Sequence, residues 1–89
     1  MHETGLVRSL IRMAAARAEG ARVAAVGVSV GPQSGFTPEH LREHWEEAIR
    51  GTALEGAELL LEASDDPLDT GVLLAWVEKE VASASGPRP

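Results

Sequence analysis

The sequence predicts a small α/β domain: two helices covering a sheet, in the order helix, strand, helix, strand and one further element. Three observations predict it. Apolar residues recur at helical spacing between Thr4 and Glu19, Val residues alternate between Arg22 and Pro32, and Thr37-Pro38 opens a second amphipathic run. Each element has its own local chemistry.

In the first segment Leu6, Leu10, Met13 and Ala14 form a stripe that Val7, Ile11 and Ala18 widen. Arg8 and Arg12 lie one turn apart at its edge and read as a solvated face. Gly20 ends the helix, because glycine accepts the left-handed conformation common just past a helix C-terminus. "RVAAVGVSVGP" is the first strand, with Ala24, Val26, Val28 and Val30 on one face and Val23, Ala25, Gly27 and Ser29 on the other. The small residues of that second face predict a close neighbour or light exposure. "GPQSG" is a loop.

Thr37 supplies a capping hydroxyl and Pro38 suits the first helical position. Leu41, Trp45, Ala48 and Ile49 then form the buried stripe of a helix that stops near Gly51. "AELLLEA" alternates as a strand, Leu59 and Leu61 inward, Glu58 and Glu62 outward. "SDDPLDTG" is an acidic, turn-rich loop. "VLLAWVEKEVA" is open between helix and strand, since Leu73, Val77 and Val81 fit either period. "SASGPRP", residues 83–89, is a frayed tail.

Composition excludes several functions. The 89 residues fit one domain, and eight basic against fourteen acidic residues give a net charge of −6. Nucleic acid is therefore not the expected partner, because phosphate binding needs clustered Lys and Arg. The chain has no Cys, which removes disulfides, thiolate catalysis and Cys-based zinc sites. No apolar run approaches a membrane span and no signal-peptide pattern opens the chain, so a cytoplasmic location is expected.

Two constellations carry possible chemistry. "HLREH", His40 to His44, has the H-x-x-E-H spacing of inverted zinc peptidases, with Glu43 in the position of the base. A peptidase also needs a third ligand and a substrate cleft, which so short a chain does not offer. His44 stands beside Leu41 and Trp45 and reads as the border of the core. The second constellation is the terminus, Met1-His2-Glu3. The Met1 amine, the His2 main-chain nitrogen and imidazole, and the Glu3 main-chain nitrogen can offer four nitrogens in a plane. That field suits Ni(II) or Cu(II), whereas Zn(II) prefers a tetrahedron. The bulky His2 is expected to protect Met1 from removal. Residue chemistry alone favours an ordinary helix start, with the Glu3 carboxylate at the positive end of the dipole.

The sequence resembles the HypA/HybF family of nickel-incorporation metallochaperones. The resemblance rests on "MHE" at positions 1 to 3, the Val-rich strand ending in Gly, "PEHL" from Pro38 to Leu41, and "TALEGAEL" from Thr52 to Leu59. It implies that "TGVLLAWVEKEVA", residues 70–82, is the final strand. The prediction is then an α/β (α+β) domain over residues 1–82, order α-β-α-β-β, with a three-stranded sheet covered by two helices. It implies binding of Ni(II), held transiently, through Met1, His2 and Glu3, and delivery during [NiFe]-hydrogenase maturation. The implied partners are a nickel-handling GTPase and the hydrogenase large subunit, with no nucleic acid and no membrane. Such transfer is ligand exchange, not catalysis. The family's zinc unit, with two Cys-x-x-Cys pairs between the last two strands, has no counterpart here. Ser64 to Thr70 bridges directly, so zinc is not expected. Asp65, Asp66 and Asp69 of that bridge read as a solvated turn rather than as oxygen ligands. The alternative reading is a metal-free relative that scaffolds or regulates maturation.

Overall fold

The computed structural model describes residues 3–80, and the predicted tail at residues 83–89 lies outside them. The elements run α1 (Glu3–Ala18), β1 (Val23–Val30), α2 (Pro38–Ala48), β2 (Glu58–Ala63) and β3 (Val72–Lys79). The sheet order is β2-β1-β3, with β2 parallel and β3 antiparallel to the central β1. The predicted α+β order and the three-stranded sheet with two helices are what the molecule shows.

Helix α1 buries Val7, Leu10, Ala14 and Ala18 against β3 and α2. Spacings of three and four keep these four residues on one face. Met13, expected in the stripe, is 46% exposed, because the buried line runs one position away from it. The helix ends through Glu19 at φ 54° and Gly20 at φ 89°, where glycine meets no steric penalty. Helix α2 starts as its sequence dictates: the Thr37 hydroxyl accepts from the His40 amide at 3.3 Å, ahead of Pro38. Leu41, Trp45 and Ile49 of its stripe are buried, and Ala48 is half-buried.

The alternation in β1 is broken where its partner strand requires it. Val23 pairs with Lys79 while Ala25 pairs with Glu78, so Ala24 is an extra residue, a β-bulge. The bulge turns Val23 into the core, where it is 1% exposed, and corrects the expectation that Ala24 faced inward with Val26 and Val28. A second bulge at Ala75 separates Trp76, opposite Gly27, from Leu74, opposite Val28. It lets Val72, Leu74 and Val77 share the core side, while Leu73 is 64% exposed. The apolar residues that left this segment open to either period are thus divided between two faces. Val81 lies outside the described residues.

"TALEGA" is a compact turn. The Thr52 hydroxyl donates to the Ile49 carbonyl at 2.7 Å and accepts from the Leu54 amide at 3.1 Å. Leu54 is thereby driven fully into the core. Arg22 donates to the Glu55 carbonyl at 2.9 Å, and the Trp45 indole to the Ala57 carbonyl at 3.4 Å. This run holds β1, α2 and β2 together through main-chain acceptors.

The short bridge between β2 and β3 is clamped to the end of β1. Ser64 donates its amide to the Val30 carbonyl at 3.0 Å, and Gly31 donates to the Gly71 carbonyl at 2.8 Å. Gln33 donates to the Asp69 carbonyl at 2.9 Å. The Asp69 carboxylate accepts from the Gly71 amide at 2.8 Å. That bond, and secondarily the Ser64 hydroxyl, hold the Asp69 carboxyl below its ordinary range. A lowered folded-state pKa stabilises the fold above the unfolded value and stops doing so as pH falls through the lowered one. Stability is therefore expected to drop below about pH 4, the ordinary Asp range, in part through this group. Asp69→Asn should flatten that acid limb in urea unfolding measured across pH. An acid limb unchanged by the substitution would count against the clamp.

Candidate functional site

Of the predicted nickel ligands, Met1 and His2 lie outside the described residues, and Glu3 enters as the first residue of α1. What the fold contributes is the anchor behind them. Val7 is 1% exposed and Leu10 2%, so α1 is fixed to the core from its second turn onward. Gly5 has open space around its Cα. A chelate built at the start of this helix would stand on a base fixed by the burial of Val7 and Leu10.

The H-x-x-E-H residues are not assembled into a metal centre. His40 and Glu43 are exposed and His44 is half-buried. Among the described residues no group of three or more His, Asp and Glu side chains could hold a metal ion. His44 instead lines a groove of about 510 Å³ between the helices, shared with Val7, Arg8, Ile11, Arg12, Glu47 and Ala48. This matches the reading of His44 as a border residue.

The acidic bridge is also accounted for by its own backbone. Asp66 accepts from the Leu68 amide at 3.0 Å while its own amide donates to the Ser64 hydroxyl at 3.2 Å. Together with the Asp69–Gly71 bond, these are turn-forming contacts of the kind Asp and Ser make in loops. Asp65 is exposed. No helix among the described residues is long and apolar enough to cross a membrane.

The face of the sheet away from the helices was only partly legible. The sequence marked β1's second face as small, with a close neighbour or light exposure, but did not say which. The neighbour is Trp76, whose indole lies over Gly27 where a Cβ would otherwise stand. The signal was the pairing of a lone Gly within a Val-rich strand with a lone Trp in the last one, and it needs the register to be read.

Residues 1–68 match the family described as hydrogenase/urease nickel incorporation, metallochaperone, hypA. The chain is 39% identical over 62 residues to the hydrogenase maturation factor HypA of Geotalea daltonii, covering 70% of this chain and 56% of that protein. It is 37% identical over 62 residues to its counterpart in Geotalea uraniireducens, with the same coverage. Against that of Nostoc punctiforme it is 34% identical over 59 residues, 66% of this chain and 52% of the relative. The chain thus spans about half the length of the curated relatives it matches. The matched residues include "MHE", α1, β1, α2, the "TALEGA" turn and β2, and the chain belongs to the HypA family of hydrogenase/urease nickel-incorporation metallochaperones.

Proposed function

We propose that this chain binds Ni(II) at Met1, His2 and Glu3 and delivers it during [NiFe]-hydrogenase maturation. The observation that carries the reading is the family match, which begins at residue 1 and so takes in the Met-His-Glu terminus. The start of α1 at Glu3 supports it. The first four N–H groups of an α-helix have no intrahelical acceptor, so the Glu3 nitrogen can release its proton to solvent and take a metal in its place without breaking a helix hydrogen bond. The Met1 amine, the His2 main-chain nitrogen and imidazole, and the Glu3 main-chain nitrogen then form fused chelate rings around a planar ion. The Glu3 carboxylate orients the His2 ring or meets the partner. Transfer proceeds by ligand exchange, the recipient's donors displacing these nitrogens one at a time. The recipients are a nickel-handling maturation GTPase and the hydrogenase large subunit.

The test compares a chain starting at Met1 with one carrying a single extra residue ahead of it. Calorimetry and visible absorption with NiCl₂ should show tight, planar binding by the first alone. Equal affinity and equal spectra would refute the terminal site. The absence of Cys favours a second reading in that event: a metal-free family member that scaffolds or regulates maturation.

Zinc is outside both readings. Elemental analysis of purified protein is expected to find no stoichiometric zinc, given the missing Cys. One tightly held zinc per chain would instead direct attention to His40 and His44.

A further inference from the structure

We infer that the face of the sheet that no described helix covers is a docking surface for a basic, amphipathic segment of another polypeptide. This goes beyond the nickel reading and does not rest on it. Side chains paired across a sheet share a face, so the register writes out this surface row by row. Glu58, Ala25 and Glu78 form one row, Leu60, Gly27 and Trp76 the next, and Glu62, Ser29 and Leu73 the third. Ala25, Gly27 and Ser29 make a shallow floor down the central strand. The Trp76 indole leans onto it over Gly27, with Leu60 37% and Leu73 64% exposed beside it. Both helices pack on the opposite side of the sheet, around the Val26 and Val28 core.

An apolar centre with polar edges is the anatomy of an interface. Within these three rows every charge has the same sign, the neighbouring Arg22 being paired with Glu80. Glu58, Glu62 and Glu78 are exposed, and none takes part in an ion pair among the described residues. The sign selects the occupant. A second copy of this chain would bring three more carboxylates against these three, and like charges across an interface are costly. Nucleic acid and anionic lipid are disfavoured for the same reason. A segment with apolar residues along one stripe and Lys or Arg on its flanks satisfies both the floor and the rim.

The test is a ¹H–¹⁵N NMR titration of the full chain with a capped, amphipathic Leu/Lys peptide, and with its Leu/Glu counterpart. The Leu/Lys peptide should move resonances of Gly27, Ser29, Leu60, Leu73 and Trp76. The Leu/Glu peptide should not. Trp45 is 1% exposed, so a change in tryptophan emission reports Trp76. Glu58→Lys, Glu62→Lys and Glu78→Lys combined should weaken the basic peptide by about tenfold or more and admit the acidic one, as charge complementarity dictates. All three positions are exposed, so the variant should fold, and circular dichroism checks that it does. Its nickel titration should equal that of the parent, which separates this surface from the terminus. Shifts confined to the α1–α2 groove, equal binding of both peptides, no binding of either, or dimerisation through this face in sedimentation would each overturn the inference.

Discussion

His2→Ala, in a chain that begins at Met1, is expected to abolish the planar Ni(II) spectrum while leaving the thermal midpoint unchanged. The imidazole is one of four proposed nitrogens, and its loss opens the six-membered chelate ring that its Nδ1 closes with the His2 main-chain nitrogen. What remains is an amine with two main-chain nitrogens that no longer have an anchoring side chain to draw the metal in. Acetylating the Met1 amine should act in the same way, since it removes another donor from the same chelate. His40→Ala and His44→Ala should spare the spectrum, because no third ligand is assembled with them among the described residues. The pH dependence has a definite sign. Binding displaces protons from the amine and from main-chain amides, so affinity should fall steeply as pH is lowered. The fold should be indifferent to all of this, because Val7, Leu10, Ala14 and Ala18 hold α1 by burial. Retention of full nickel affinity by His2→Ala, or unfolding on its introduction, would contradict the proposed division of labour between terminus and core.

The elements legible in the sequence are those written by local chemistry. Thr37 and Pro38 mark the start of α2, Gly20 follows the end of α1, and Glu58 to Glu62 alternate as a half-buried strand must. What stayed illegible depends on residues distant in the chain. Val23 and Ala24 exchange faces because β3 imposes a bulge, and nothing within "RVAAV" specifies one. Leu73 and Leu74 are adjacent leucines, and only the second is buried, a choice set by the register with β1. The same holds for the candidate sites. "HLREH" has ligand spacing along one helix, but a metal centre also needs donors from elsewhere, and among the described residues tertiary structure brings none. "MHE" could be proposed from the sequence, through the family resemblance, because its donors are consecutive and need no fold to bring them together. The Leu60–Gly27–Trp76 row is the opposite case, three strands contributing one residue each.

Trp45→Ala is expected to be the most destabilising single substitution, costing about 3–5 kcal/mol by lost transfer energy and residual cavity. Trp45 is the largest fully buried side chain, and its indole also donates to the Ala57 carbonyl at 3.4 Å. A domain this small has a total stability of only about 5–10 kcal/mol, so the variant should lose much of its cooperative transition. The glycines sharpen the comparison. A Cβ on Gly31 would strike the Asp69 carbonyl, which is backbone and already accepts the Gln33 amide. A Cβ on Gly27 would strike the Trp76 indole, a half-buried side chain on the open face that can swing aside. Overpacking of this kind costs roughly 1–3 kcal/mol, so Gly31→Ala should fall near the upper end and Gly27→Ala near the lower. Urea midpoints for the three variants check the ranking. Gly31→Ala bears on more than packing, because Gly31 ties β1 to the bridge that returns the chain to β3. Where that bridge cannot seat, β3 loses its register, and with it the pairing of Gly27 with Trp76. A Gly31→Ala protein with unaltered stability would mean that β3 closes the sheet without the clamp.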